Sequence, residues 1–332
     1  MKFRHIIVCA CGIVLCLLGC RPSEKYRILL GSNHTYYRIV YKSSRPLDTE
    51  IKAAFASYYH SLNPFDSLSI ITAVNRNSSM EVDSLFAGAF RSAEYVALQT
   101  DGMFDVTCAP LINLWGFGFE RYDSVSPTMV DSMLSFTGFK MVRLEGGKII
   151  KEDPHVTLNF SGLGDGYVCD IIGRLLDRNG VMDYLVDVGG EILAKGKNPD
   201  GRYWRIGINK PVDDSTCTVN EIQRIVELRD CGMATSGDYR NYYLKDGKKY
   251  AHTINPKTGY PAGQDILSAT VVADETTIAD AFATAFMAMG REKSRALAAK
   301  HPELEYYFIC RDSLGNFAVE CSEGMKARLI PE

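Results

Sequence analysis

Neither sign of charge is in large excess in this chain. Its 332 residues carry 37 Lys+Arg against 40 Asp+Glu, a formal net charge of -3, so the basic surface that binds a phosphate backbone is missing and no nucleic-acid partner is expected. None of its 10 cysteines forms a C-x-x-C pair, which argues against a structural zinc site and against a dithiol redox centre. There is no Walker loop, and no dinucleotide fingerprint followed by an acidic residue on a second strand. Internal repeats and low-complexity stretches are also absent, which leaves a globular chain that is 46% hydrophobic and 23% charged.

Long apolar runs are confined to one place, the N-terminus. Met1-Lys2-Phe3-Arg4-His5 is followed by Ile6 to Leu18 and then Gly19-Cys20. A basic start, an apolar stretch too short to span a bilayer and a small-residue cleavage region read as a secretory signal over residues 1–19; the competing reading is a buried hydrophobic helix. Leu17-Leu18-Gly19-Cys20 resembles the bacterial lipoprotein box, which makes Cys20 the lipidated first residue of an exported, membrane-anchored protein. Cys9, Cys11 and Cys16 leave with such a signal, and Cys108, Cys169, Cys217, Cys231, Cys310 and Cys321 remain. Cys310 and Cys321 flank a Leu314-Gly315-Asn316 turn, so they either bridge a hairpin or stay as buried thiols.

Residues 20–45 read as a leader and a first strand, with Tyr36-Tyr37-Arg38-Ile39-Val40-Tyr41 rich in β-formers. Residues 46–332 read as one domain or two lobes. Leu47, Ile51, Phe55, Tyr58 and Leu62 have helical spacing, Asp83 is a candidate N-cap, and Ser126-Pro127 opens a shorter helix. Strands are expected around Glu145-Gly146-Gly147, at Tyr184–Val188, Tyr203–Ile208 and Ile225–Leu228. A helix follows the glycine turn at residue 162 and closes at Gly180, and another runs from Thr276 to Met289. A final helix and a hairpin complete the chain. Without regular β-α alternation, the expected class is α+β with mixed or antiparallel sheets.

Four segments can carry chemistry. Asp280 and Thr284 lie four apart on an otherwise apolar helix and so share one face. Two hard oxygens there suit Mg²⁺; equally, Asp280 can cap a loop and Thr284 can bond its own backbone. Asn159-Phe160-Ser161-Gly162-Leu163-Gly164-Asp165-Gly166-Tyr167 brings a glycine-rich turn to a helix N-terminus, a place that attracts phosphate. Thr235-Ser236-Gly237-Asp238 reads as a turn, followed by His252-Thr253-Ile254-Asn255-Pro256-Lys257-Thr258-Gly259; His252 is a general base, a phosphate partner or a part-buried structural histidine. Gly102-Met103-Phe104-Asp105 and Leu114-Trp115-Gly116-Phe117-Gly118 set aromatics beside glycines, which either sandwiches a planar ring or builds a core corner.

In this order, and together with Ser61 through Asn75, Val188-Gly189-Gly190-Glu191 and Ala279-Asp280-Ala281, these segments resemble the ApbE family, flavin transferases that move FMN from FAD onto a protein threonine. The likeness runs from about Ser61 to Gly290. It implies a T-fold-like α+β architecture with FAD, the substrate, between Gly102–Asp105 and the turn at Gly162–Asp165. Asn63, Ser236, Gly237 and Asp238 would lie near the flavin or its phosphates. It further implies Mg²⁺ held by Asp280, Thr284 and the main-chain oxygen of Gly162, with His252 as the first candidate base and Asp280 the second. Anchoring at Cys20 would face the periplasm, and the acceptors would be subunits of Nqr- or Rnf-type membrane redox complexes. Two positions depart from the family pattern: Asp165 stands where a Lys or Glu is frequent, and Asn255 where an Asp is usual. Attack by water would make the same site a FAD pyrophosphatase, and a non-catalytic FAD-binding lipoprotein is the remaining reading.

Overall fold

The computed structural model describes residues 23–118, 124–212, 221–239, 242–245, 248–263, 265–311 and 316–331. The signal segment, Cys20 and Cys217 lie outside these residues. Two strands open the fold, β1 (Lys25–Asn33) and β2 (Thr35–Ser43), joined at His34 with a φ of 62°. One strand was expected here; β1 hides from sequence patterning because it is a sheet edge on which only Leu29 is buried.

Three helices follow: α1 (Asp48–Leu62), α2 (Ile70–Asn75) and α3 (Ser84–Gln99). The α1 stripe Ile51, Phe55, Tyr58 and Leu62 is buried as its spacing predicts, and Asp83 caps α3 by accepting the Phe86 N–H at 2.8 Å. Helices α4 (Ala109–Leu114) and α5 (Pro127–Leu134) come next, then the hairpin of β3 (Val142–Glu145) and β4 (Lys148–Lys151) and helix α6 (Gly164–Arg178). Strands β5 (Tyr184–Val188), β6 (Glu191–Lys195), β7 (Trp204–Asn209), β8 (Ile222–Leu228) and β9 (Cys231–Gly237) lead to a small hairpin, β10 (Tyr242–Lys245) and β11 (Lys248–Ala251). Then come β12 (Ile266–Ala273), α7 (Thr276–Met289), α8 (Arg291–Ala298), β13 (Glu305–Arg311), β14 (Phe317–Cys321) and α9 (Glu323–Arg328). The sequence reading ended at the hairpin; α9 continues past it, capped by Ser322, which accepts the Met325 N–H, and tied to β13 by Arg328 and Glu305.

Eight strands form one sheet in the order β1-β2-β5-β6-β9-β12-β13-β14, and every neighbouring pair is antiparallel. Helices α1, α3, α6 and α7 cover one face, burying Ile39, Val186, Ala269 and Phe308. The β7–β8 hairpin and α9 cover the other, over Val40, Leu185, Met233 and Tyr307. Central β12 is buried on both faces along its whole length. A third, smaller cluster of Leu111, Leu114, Trp115, Val130 and Ile254 holds α4 and α5 against the segment 250–260.

The bridge between Cys310 and Cys321 does not form. Cys310 pairs with Ala318 and Cys321 with Tyr307; Cys310 points into the helix-side core and Cys321 toward the opposite face. The five described cysteines are free. No described helix is long and apolar enough to cross a membrane.

Candidate active site

Helix α7 supplies the floor. Its first turn has no cap of its own; Asp170 on α6 does that work from outside, accepting the N–H groups of Thr276 (3.0 Å) and Thr277 (2.8 Å) and the Thr277 hydroxyl. Asp170 is thereby a satisfied buried carboxylate. Asp280, one turn further along, is not satisfied in the same way. It is buried (7% exposed) and accepts the Gly166 N–H at 3.1 Å. Burial pushes its proton affinity well up, and the negative charges of Glu191, Asp165 and Asp170 push it further.

Two glycines let the turn before α6 press onto this floor. A Cβ on Gly162 would stand 3.1 Å from the Phe104 ring and 3.3 Å from Thr284 Cγ2; one on Gly166 would stand 2.6 Å from the Thr276 carbonyl oxygen and 2.8 Å from Asp280 Cβ. Close approach is what puts the Thr284 hydroxyl 3.1 Å from the Gly162 carbonyl oxygen, to which it donates, and 3.2 Å from Ser236 Oγ. The Thr284 hydroxyl touches the Gly162 carbonyl, and Asp280, one helical turn before Thr284, lines the same cleft of about 1240 Å³. A buried carboxyl group whose described hydrogen bond comes from one backbone N–H fits a divalent cation, which would hold it in its charged form. Among the described residues no cluster of three or more His, Cys, Asp or Glu is arranged to hold a metal, so a single carboxylate helped by neutral oxygens is the donor set available.

Met103, Phe104, Asp105, Gly162, Asp165, Ser236, Gly237, His252, Asp280 and Thr284 all line this one cleft. Asn63, Gly102 and Asp238 are not on its wall. Asn63 shapes the rim from behind, its Oδ1 accepting the Phe65 N–H at 3.0 Å while its Nδ2 meets His34, so that Pro64 and Phe65 face inward. Gly102 adopts a φ of 73° and turns the chain toward Phe104. Asp105 is a hub: Oδ1 accepts from the Thr107 N–H (2.8 Å) and hydroxyl (2.6 Å), and Oδ2 from the Phe139 N–H (2.7 Å). His252 stands edge-on to Phe117, with ring centroids 6.3 Å apart. The expected turn at Thr235-Ser236-Gly237 is instead the end of β9, paired to β12; Thr235 meets Thr270 of β12, Ser236 meets Thr284 of α7, and a Cβ on Gly237 would run into the Tyr239 ring. Asn255 keeps the role an Asp would have, its Oδ1 accepting the N–H groups of Lys257 (2.9 Å) and Thr258 (3.2 Å).

Asp187 and Glu191 are cleft residues to which the sequence reading gave no role. Their positions across Gly189-Gly190, whose φ values are 66° and 109°, were the available signal. A Cβ on Gly189 would lie 2.5 Å from Asp165 Oδ2 and 3.2 Å from Glu191 Oε2, so two carboxylates converge on that glycine. Burial raises the Asp165 pKa to about 6. The folded protein then holds this proton more tightly than the unfolded chain does, so stability is fully present below the ordinary value near 3.8 and is lost as pH rises through about 6. In metal-free protein, Asp165→Asn is expected to raise unfolding stability above pH 6 by about 1–2 kcal/mol, after part exposure at the cleft is allowed for. Urea denaturation at pH 4 and pH 7.5 with chelator checks this; the gain should vanish at the lower pH.

The sequence profile of the ApbE family matches residues 33–308. The chain is 34% identical to a FAD:protein FMN transferase of Vibrio cholerae over 89% of this chain and 90% of that one. It is 32% identical to the Escherichia coli K12 protein of the same name over 88% and 84%. Among solved structures, the flavin transferase ApbE from Vibrio cholerae superposes with a TM-score of 0.82 at 31% identity, covering 92% of this chain and 100% of that one. The flavinyl transferase ApbE of Pseudomonas stutzeri, in its apo form, gives 0.81 at 30% identity, with 92% and 97% covered. With the same fold and a profile match over most of its length, this chain belongs to the ApbE family and is a transferase.

Proposed function

We propose that the chain transfers FMN from FAD to a threonine hydroxyl of a target flavoprotein, leaving a phosphoester and releasing AMP. The observation that carries this is the contact of the Thr284 hydroxyl with the Gly162 carbonyl, with Asp280 one helical turn away, in a cleft large enough for a dinucleotide. Mg²⁺ held by those three oxygens would neutralise charge on the diphosphate and on the departing phosphate. The threonine oxygen forms a bond to the FMN-side phosphorus as the anhydride P–O bond breaks, and AMP leaves with that electron pair. A ring nitrogen of His252 takes the hydroxyl proton; Asp280, committed to the cation, is the poorer base. Phe104 and the Asp105-centred corner hold one wall rigid, while the close packing of Gly162 on Thr284 fixes the donors.

Location extends the proposal. A lipid on Cys20 would tether the enzyme to the periplasmic face of the membrane, where Nqr- and Rnf-type subunits are its targets. The test is to incubate purified protein with FAD, Mg²⁺ and the soluble domain of such a subunit. Covalent in-gel flavin fluorescence with one AMP per modified acceptor is expected. FMN and AMP without labelled acceptor would make the chain a pyrophosphatase, and FAD binding with no AMP would make it a carrier.

A further inference from the structure

Strand β1 is an edge of the sheet, and its solvent side carries apolar side chains. The register sets Ile28 opposite Val40, Leu30 opposite Arg38 and Ser32 opposite Tyr36, so with side chains alternating these six share one face. It is the face over which the β7–β8 hairpin packs. Val40 and Tyr26 belong to that packed cluster, and the cover ends there. Val40 is 3% exposed, whereas Ile28 beside it is 64%, Leu30 66% and Tyr36 54% exposed, and Arg38 is exposed as well. Two aliphatic side chains bracketed by a tyrosine and an arginine have the composition of a membrane-interface surface. The aliphatics can enter the acyl boundary while the phenol and the guanidinium stay at headgroup level. Arg38 lies opposite Asp187 of β5, so the strip carries little net charge and its attraction is to the apolar boundary rather than to anionic headgroups.

The chain leading into β1 selects the occupant. Cys20, the anchoring residue proposed above, precedes Lys25, the first residue of β1, by five positions. Fully extended, that stretch reaches no further than about 18 Å. A tether this short holds the exposed face near a bilayer at an effective concentration on the order of millimolar, so contacts too weak to recruit a free protein suffice to orient this one. Resting on the proposed lipid at Cys20, we infer that the strip of Ile28, Leu30, Tyr36 and Arg38 lies on the bilayer surface and fixes the orientation of the enzyme there. The unpaired backbone groups along the β1 edge stay hydrated at headgroup depth, as they must. Tyr36 also lines the cleft, so the docked face brings the cleft rim to membrane level, where a membrane-bound acceptor stands.

The test uses the full chain, processed in its host and reconstituted into phosphatidylcholine vesicles with and without dibrominated lipid. Ser32→Trp is the reporter on the strip, and Leu98→Trp, at an exposed position near the end of α3, is the control. Brominated lipid should quench the added emission at residue 32 at least twofold and leave that at residue 98 unchanged. With Ile28→Glu and Leu30→Glu added, the protein should still float with the vesicles through its lipid, and the reporter should lose its quenching. Quenching that survives both glutamates would mean that the tether alone brings the reporter near, and would overturn the inference. An unquenched reporter in lipidated protein overturns it too, and one that is also shielded from acrylamide assigns the strip to a second copy of the chain, paired along the open edge. Mass spectrometry of the mature N-terminus tests the anchor separately: Cys20 without lipid removes the anchor and this inference with it, while flavin transfer, assayed in solution, stands or falls on its own.

Discussion

Asp280→Ala is expected to lower FMN transfer by roughly a thousandfold or more and to remove its response to Mg²⁺, because it takes away the only carboxylate among the proposed cation ligands. The effect should not come from misfolding. Asp280 sits among Glu191, Asp165 and Asp170, and burial already disfavours its charged form, so metal-free protein loses an unfavourable group when the carboxylate goes. Asp280→Asn refines the experiment. The amide oxygen can still accept the Gly166 N–H while the charge is absent. Activity should fall as far as in the alanine variant, and the metal-free melting temperature should stay level or rise. Mg²⁺ titration by calorimetry together with acceptor labelling decides it: full transfer by either variant would remove Asp280 from the site.

The opposite pattern is expected of Gly166→Ala. Its added methyl would stand 2.6 Å from the Thr276 carbonyl oxygen and 2.8 Å from Asp280 Cβ, and neither the backbone atom nor the buried helix can step aside cheaply. A cost of about 3 kcal/mol follows from overpacking at such a contact, which for a protein of this size lowers the melting temperature by about 5–10 °C. Activity should fall too, since the methyl forces the Gly162–Gly166 turn off α7 and separates Gly162 from Thr284. Gly147→Ala is the control. Its φ is also positive, at 75°, but nothing lies within 4 Å of the new carbon, so only about 1 kcal/mol of backbone strain is expected. Equal losses in the two variants would mean that the close packing at residue 166 carries little.

Helices with long periodic stripes were legible. Leu47 through Leu62, the cap at Asp83, and Thr276 to Met289 followed by Gly290 all form where their spacing and end signals put them. Elements whose side chains face water or small neighbours were not. Strand β1 buries Leu29 alone and leaves Ile28 and Leu30 64% and 66% exposed, so alternation gives no signal. The end of strand β9 read as a turn because Thr235, Ser236 and Gly237 are small, polar residues without the β-branched aliphatic and aromatic pattern of a strand. Asp280 and Thr284 were legible from their four-residue spacing on an apolar helix and Gly162 from the family resemblance, and the structure brings the Thr284 hydroxyl onto the Gly162 carbonyl. Asp187 and Glu191 received no role because their place in the cleft depends on where a distant turn lands.

The Thr284 hydroxyl and the Gly162 carbonyl it meets are 122 positions apart along the chain, and Phe104 presses on that glycine from a third stretch. No shorter piece of the polypeptide therefore owns a partial version of this chemistry. During synthesis the ribosome must deliver nearly the entire length before the three stretches can find one another, and a nascent chain stopped ahead of α7 lacks the Thr284 side of that contact.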